Sequence, residues 1–178
     1  MAEGGFLGRL GIVRNDIRKD ILYFFLPWTT VLCIEALFFV RDLAKQPQSL
    51  FSFPVMSIIG LALSIIGFAL LLVGQLTLFR NYSSLLVIHK DHQLITHGIY
   101  RFTRNPMYLG VLMFFIGWPV YAASLYGFLT SLVLIPIFLN RIRMEERMLA
   151  EYFQDSFQKY KKTTKRLIPF IYWKEKLK

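Results

Sequence analysis

The chain has 178 residues, of which 55% are hydrophobic and 18% are charged. Soluble domains carry about a quarter charged residues. Here the charges lie between long apolar runs, which argues against a soluble protein and indicates a membrane protein. The formal net charge is +10, and basic residues flank the apolar runs, so we expect a lipid bilayer as partner and no nucleic acid. The length allows a single membrane-embedded domain, residues 1–178.

Three apolar runs define the predicted membrane spans. Residues 21–40 are just long enough to cross a bilayer core of roughly 30 Å, and residues 55–79 form a longer run. Residues 107–139 are too long for one crossing and contain glycine and proline near their middle. We therefore predict two short helices there, residues 107–118 and 124–140. The expected fold class is an all-α integral membrane protein with about four transmembrane helices, the third and fourth forming a tight hairpin.

Three glycines of the second span are evenly spaced. Gly60, Gly67 and Gly74 recur every seven residues and share one helix face, where another helix can approach closely. This face favours internal packing but permits a homodimer, so the oligomeric state stays open between monomer and homodimer.

Pro136 is expected to bend the fourth helix. Glu35 lies roughly 21 Å from the predicted cytoplasmic end, too deep for a site there, and a neutral, hydrogen-bonded or interface role is favoured.

Loop charge predicts the orientation of the chain. Lysine and arginine number four in residues 1–20, two in residues 41–54, four in residues 80–106 and eleven in residues 140–178. With four spans, the positive-inside rule places both termini in the cytoplasm, whereas three spans would separate the two basic ends. The first apolar run is too long for the core of a signal peptide and is expected to be retained. We expect a multi-pass protein of the plasma membrane, or of the inner membrane in a bacterium.

The predicted cytoplasmic tail, residues 141–178, contains an amphipathic pattern. Before a lysine-rich segment, its apolar and aromatic residues recur at spacings of three and four: Met148, Tyr152, Phe153, Phe157 and Tyr160. This pattern predicts an amphipathic helix on the membrane surface that ends at Pro169.

The loop over residues 81–106, NYSSLLVIHKDHQLITHGIYRFTRNP, contains all three histidines of the chain. His89, His92 and His97 could bind zinc. Without a nearby cysteine, however, their spacing is only weak evidence for a zinc site, and we expect no metal. A second and plainer interpretation is a polar loop whose side chains anchor it in the lipid headgroup region. A third interpretation is a loop that binds a cofactor.

A second segment, NRIRMEERMLAEYF at residues 140–153, favours the cofactor interpretation. Arg141 and Glu145 are four residues apart and share a helix face, and Glu146 lies beside them. An exposed ion pair there would contribute only a few tenths of a kcal/mol. Paired carboxylates where a helix leaves the bilayer instead indicate a polar pocket at the membrane boundary.

The run HGIYRFTRNPMYLG, residues 97–110, resembles the signature of the isoprenylcysteine carboxyl methyltransferase and phospholipid methyltransferase superfamily. That signature is Gly-x-Tyr followed by Arg-His-Pro-x-Tyr. The resemblance continues upstream through Asn-Tyr at residues 81–82 and His-x-Leu-Ile-x-x-Gly at residues 92–98. Downstream it includes Glu-Glu at residues 145–146 and Arg-Leu-Ile-Pro at residues 166–169. It covers about residues 75 to 170 and is specific for the superfamily, not for a substrate.

The resemblance implies a membrane-embedded methyltransferase that uses S-adenosylmethionine, held in a cytoplasm-facing pocket between the loop, the next helix and the tail. Arg141 would face the methyl acceptor, and Arg141 with Glu145 would form the catalytic pair. The cofactor-binding residues carried over are His92, Gln93, Leu94, Ile95, Gly98, Tyr100, Asn105, Pro106, Met107, Tyr108, Glu145 and Glu146.

The chemistry of the acceptor leaves alternatives open. Methyl transfer from a sulfonium is an in-line displacement in which alignment carries the catalysis, and no metal is required. A carboxylate acceptor is already ionised near pH 7 and needs a cation, for which Arg141 is suited. An amine arrives protonated and needs a base, Glu145 or Glu146. We favour the carboxylate of an isoprenylcysteine-like lipid, with an aminophospholipid as the alternative.

Asn105 keeps a third alternative open, a lipid-binding relative without activity. It stands where the family has histidine before the proline. Asparagine donates and accepts hydrogen bonds but cannot carry a proton at neutral pH. If the histidine binds the cofactor, asparagine suffices; if it acts as acid or base, this chain lacks that function.

Overall fold

A computed structural model describes residues 13–14, 21–44, 54–78, 87–88 and 93–169. In chain order the elements are β1 (Val13–Arg14), a π-helical turn (Ile21–Phe25), α1 (Leu26–Ala44), α2 (Pro54–Leu78), β2 (Val87–Ile88), a 3-10 turn (Gly98–Arg101), α3 (Pro106–Tyr121), α4 (Leu125–Leu132) and α5 (Leu134–Thr163). The two short strands pair antiparallel. Nearly all of the described chain is helical, and the predicted all-α membrane class is confirmed.

The apolar helices match the expected count of about four spans. Three segments are long and apolar enough to cross a membrane: Leu22–Asp42, Val55–Leu78 and Leu125–Thr163. The fourth, α3, is apolar but has only 16 residues, about 24 Å of helix. The tight hairpin between α3 and α4 is present, and its turn contains Ala123 with a φ of 53°.

The break in the second hairpin helix falls earlier than predicted. The bend was expected at Pro136, but α4 ends at Leu132 and α5 begins at Leu134. A proline inside the helix would leave the Leu132 carbonyl without its donor and clash with it. The helix therefore ends before the proline, which lies in the first turn of α5, where its missing N–H costs little.

The predicted C-terminal helix is present as the second part of α5. The backbone of α5 is helical from Leu134 to Thr163 except at Gln154, where φ is 43° and ψ is −116° and a kink separates two helical segments. The predicted membrane boundary at residue 141 lies inside the first segment and stays a prediction. The helix α5 ends six residues before Pro169. Arg104 causes this earlier end, since its guanidinium donates to the carbonyls of Lys161 and Thr164 that a longer helix would have bonded internally.

The glycine face of α2 packs against α3, as the internal-packing interpretation expected. A Cβ placed on Gly67 would lie 2.6 Å from the carbonyl oxygen of Gly110, and one on Gly60 would lie 2.7 Å from that of Gly117. The third glycine, Gly74, faces Met107 at the start of α3. The helices are therefore antiparallel and in backbone contact, which fixes the two ends of the loop that joins them.

Glu35 lies in α1 and is 5% exposed. Neither of its carboxylate oxygens has a hydrogen-bond partner among the described residues. The hydrogen-bonded role that the sequence favoured is therefore not seen in this part of the chain.

We expect Gly67→Leu to destabilise the protein, because the new side chain meets backbone that cannot move aside. Overpacking costs about 1–3 kcal/mol or more, and the thermal midpoint in detergent should fall. Ala69→Leu, on an exposed position of the same helix, is the control and should leave the midpoint unchanged. Equal effects of the two substitutions would contradict the close contact.

Candidate functional site

A cavity of about 530 Å³ lies between the start of α1, the end of α2, the loop before α3, and the helices α3 and α5. Its polar side is formed by loop and α5 residues such as Gln93, Asn105 and Glu145. Its apolar side is aromatic and lies among the helices: Phe24, Phe25, Trp28, Phe114, Phe115 and Phe138. The volume falls in the range of roughly 300–1,000 Å³ typical of small-molecule sites.

Most of the predicted cofactor-binding residues come together here. Those lining the cavity are Gln93, Leu94, Ile95, Tyr100, Asn105, Met107, Tyr108, Glu145 and Glu146. Gly98, Pro106 and Arg141 do not line it, and His92 lies outside the described residues. The cavity shows that the residues are neighbours; that they bind a cofactor stays a prediction.

Gly98 and Tyr100 place the loop against α2. Gly98 has a φ of +60°, a conformation that favours glycine. A Cβ there would lie 3.2 Å from the methyl group of Thr77. Tyr100 donates from its hydroxyl to the Gly74 carbonyl at 3.4 Å. The loop therefore packs directly on the end of α2.

Glu146 binds the loop to the segment after α5. Its Oε1 accepts from Arg104 Nε at 2.9 Å and from Asn105 Nδ2 at 3.2 Å. Its Oε2 accepts two hydrogen bonds from Arg166, at 2.9 and 2.7 Å. We call these four residues the Glu146 cluster. The Arg104 and Glu146 side chains are 6% and 7% exposed, so this is a buried ion pair. The pair that the sequence allowed to be exposed, Arg141 with Glu145, has side chains that are 1% and 24% exposed.

Backbone and hydroxyl contacts extend the same connection. Thr103 donates from its hydroxyl to the Leu167 carbonyl at 2.7 Å. The backbone N–H of Arg104 donates to the Lys165 carbonyl at 2.8 Å, and Tyr160 donates to the Tyr100 carbonyl at 2.6 Å. The loop and the tail therefore form one continuous wall of the cavity.

Asn105, which was predicted to bind the cofactor, also links the loop to Glu146 and Arg166. Its amide nitrogen donates both to Glu146 and, at 2.8 Å, to the Arg166 carbonyl. Two donors on one nitrogen serve two acceptors at once, which a neutral histidine with a single N–H cannot do. Asparagine at this position is thus compatible with a well-formed site.

A second polar chain lies beside the cluster. Tyr108 donates to Glu145 Oε1 at 2.5 Å, and Arg141 Nε lies 3.3 Å from the same oxygen. The Tyr108 ring also contacts Phe138, with centroids 5.6 Å apart. Tyr108 and Glu145 therefore mark the place where the polar and aromatic sides of the cavity meet.

Residues that sequence reasoning missed belong mainly to the aromatic side. Phe24, Trp28 and Phe138 pack together and line the cavity. In the sequence they look like ordinary apolar residues of two separate spans. The one available signal is the aromatic run YFFLPW at residues 23–28, which is equally typical of a membrane-interface belt.

We expect Glu146→Gln to lower the stability of the folded protein, since it leaves the buried Arg104 and the partly buried Arg166 without their counter-charge. Removing one partner of a buried pair costs about 3–5 kcal/mol, which corresponds to a fall of roughly 6–20 °C in the thermal midpoint for a protein of this size. Glu151→Gln, at an exposed position of the same helix, is the matched control. A midpoint that Glu146→Gln leaves unchanged would contradict the role of the cluster.

Known proteins are similar to this chain over most of its length. The model of the phospholipid methyltransferase family matches residues 55–156. The protein-S-isoprenylcysteine O-methyltransferase of Schizosaccharomyces pombe is 38% identical over 84 residues, covering 47% of this chain and 36% of that protein. The probable enzyme of the same name from Oryza sativa subsp. indica is 34% identical over 119 residues, covering 65% and 62%.

A solved structure has a similar fold. The eukaryotic intramembrane Ras methyltransferase, an isoprenylcysteine carboxyl methyltransferase, matches with a TM-score of 0.62 and 28% identity over 89% of this chain and 55% of that one. The chain spans about one third to two thirds of the length of these relatives. The family model covers more than half of the chain and includes the described part of the loop and the start of α5 with Glu145 and Glu146. The chain therefore belongs to the phospholipid methyltransferase family, within the superfamily that also contains the isoprenylcysteine carboxyl methyltransferases.

Proposed function

We propose that the protein transfers a methyl group from S-adenosylmethionine to the carboxylate of an isoprenylcysteine-like lipid, on the cytoplasmic face of a membrane. The observation that carries the proposal is one cavity with two chemically different sides, which meet at Tyr108 and Glu145. The polar side suits a water-soluble cofactor, and the aromatic side lies among the membrane helices, where a lipid would bind. The similar proteins named isoprenylcysteine O-methyltransferases support the same assignment.

The residues of the polar side fit the proposed cofactor. A carboxylate and an amide, from Glu145 and Gln93, can hydrogen-bond an amino group and ribose hydroxyls. Aromatic faces beside them, such as that of Tyr108, attract a cation. When bound, S-adenosylmethionine supplies a methyl group on a positively charged sulfur.

The chain's own residues would orient the acceptor. The Nε of Arg141 lies 3.3 Å from Glu145 Oε1, and this ion pair restrains the guanidinium. A guanidinium binds a carboxylate through two parallel hydrogen bonds. Alignment of acceptor and methyl group is the main catalytic requirement of a displacement, so a preorganised Arg141 is the group that supplies it.

The geometry favours a carboxylate over an amine acceptor. An amine would need a base, and the two candidates are Glu145 and Glu146. Glu146 already accepts four hydrogen bonds within its cluster. Glu145 accepts from Tyr108 and is paired with Arg141. Because both carboxylates already accept hydrogen bonds, neither is a good base for an amine. The Arg141 cation near the cavity instead suits an anionic acceptor.

The proposed function is tested by labelled methyl transfer. The protein in detergent or vesicles is given S-adenosylmethionine labelled in its methyl group, with either N-acetyl-S-farnesylcysteine or phosphatidylethanolamine. We expect label in the prenylcysteine as a base-labile ester. Label only in the phospholipid would establish the amine alternative, and no label in either acceptor would favour a relative without activity.

We expect Glu145→Ala to abolish or strongly weaken binding of S-adenosylhomocysteine, the demethylated product, measured by calorimetry. Loss of one charge-assisted contact costs at least about tenfold in affinity, roughly 1.4 kcal/mol. Because a ligand stabilises the folded state, the rise in thermal midpoint with ligand should disappear as well. Glu151→Ala should bind like the unaltered protein, and unchanged binding by Glu145→Ala would contradict the assignment of the polar side.

A further inference from the structure

Arg141, the residue expected to hold the acceptor, is covered by an aromatic ring. Its side chain is 1% exposed, and it does not line the cavity. Its guanidinium carbon lies 4.7 Å from the centroid of the Phe24 ring, and Phe24 does line the cavity. The ring thus separates the cation from the cavity. An anion inside the cavity reaches Arg141 only after the ring has moved.

The ring is held in place by neighbours that also line the cavity. Its centroid lies 5.7 Å from the stacked Trp28 ring and 5.5 Å from the edge-on Phe138 ring. Phe24 belongs to the π-helical turn Ile21–Phe25, which leads into α1. Such turns are rare and are found frequently at functional sites.

We propose that Phe24 is a positioning residue that occupies the acceptor carboxylate's place on Arg141 while the site is empty. The ring face attracts the buried cation and so helps to keep Arg141 in place without a bound anion. A carboxylate forms stronger, charge-assisted bidentate hydrogen bonds with the same guanidinium and therefore displaces the ring. The proposal rests on the proposed methyl transfer to a carboxylate and adds the residue that must leave before the acceptor binds.

The kinetic test replaces the ring while keeping an apolar side chain. With N-acetyl-S-farnesylcysteine as acceptor, Phe24→Leu should lower KM at least threefold, since the carboxylate then displaces no ring. Affinity for S-adenosylhomocysteine should stay within twofold of the unaltered value. Tyr23→Leu, in the same turn but 60% exposed and outside the cavity lining, should leave KM unchanged. An unchanged or higher KM for Phe24→Leu with intact S-adenosylhomocysteine binding would overturn the proposal.

A spectroscopic test keeps Phe24 in place and so does not depend on the folding of that variant. Trp28 stacks on the ring, and replacing the other tryptophans, Trp118→Phe and Trp173→Phe, leaves it as the sole tryptophan reporter. N-acetyl-S-farnesylcysteine should shift the Trp28 emission well beyond any shift caused by the carboxamide of the same compound, because only the carboxylate displaces the ring. Equal shifts with both compounds, or none with either, would overturn the proposal.

The two proposals fail separately. If no acceptor is methylated, the proposed function fails, while the Trp28 response to the carboxylate still decides whether the ring is displaced. If methyl transfer proceeds but KM and Trp28 emission do not respond as expected, only the role of Phe24 fails.

Discussion

The buried carboxylate of Glu146 is the interaction on which the site depends. A buried charge is tolerated only when it is paired and hydrogen-bonded. Glu146 meets this condition by drawing Arg104 and Asn105 from the loop and Arg166 from the segment after α5. The bond from Asn105 joins residues 41 positions apart. The loop can form a wall of the cavity because this one carboxylate ties it to the tail, and the same arginine that pairs with it also ends α5.

The glycine contact between α2 and α3 supports the same construction from the membrane side. Because Gly67 and Gly110 bring the two backbones together, the end of α2 and the start of α3 are fixed relative to each other. The part of the joining loop at residues 93–105 packs against the end of α2 through Gly98 and Tyr100. This side of the cavity is therefore built on two helices whose backbones are in direct contact.

The sequence predicted well those features that depend on neighbouring residues in the chain. It predicted poorly those that depend on contacts between distant residues. Apolar runs predicted the helices, because length and periodicity carry that information. The assignment of Tyr108 and Glu145 to one site came from the resemblance to the methyltransferase superfamily. The end of α5 was missed, since it is set by a donor from the loop. Phe24 was missed because a residue of an apolar run shows no sign of the cation it will cover. Glu146 was predicted to contact the cofactor, and its pairing with the loop could be seen only once the tail was placed.

The central claim is that one cavity holds the cofactor between the loop and α5, and that the acceptor reaches Arg141 behind the Phe24 ring. The most direct measurement is an experimental structure of the protein with S-adenosylhomocysteine bound. The account predicts ligand density against Gln93, Tyr108 and Glu145, with the Glu146 cluster intact beside it. Density at any other place in the protein, or a ligand that enters by separating the loop from the tail, would contradict it.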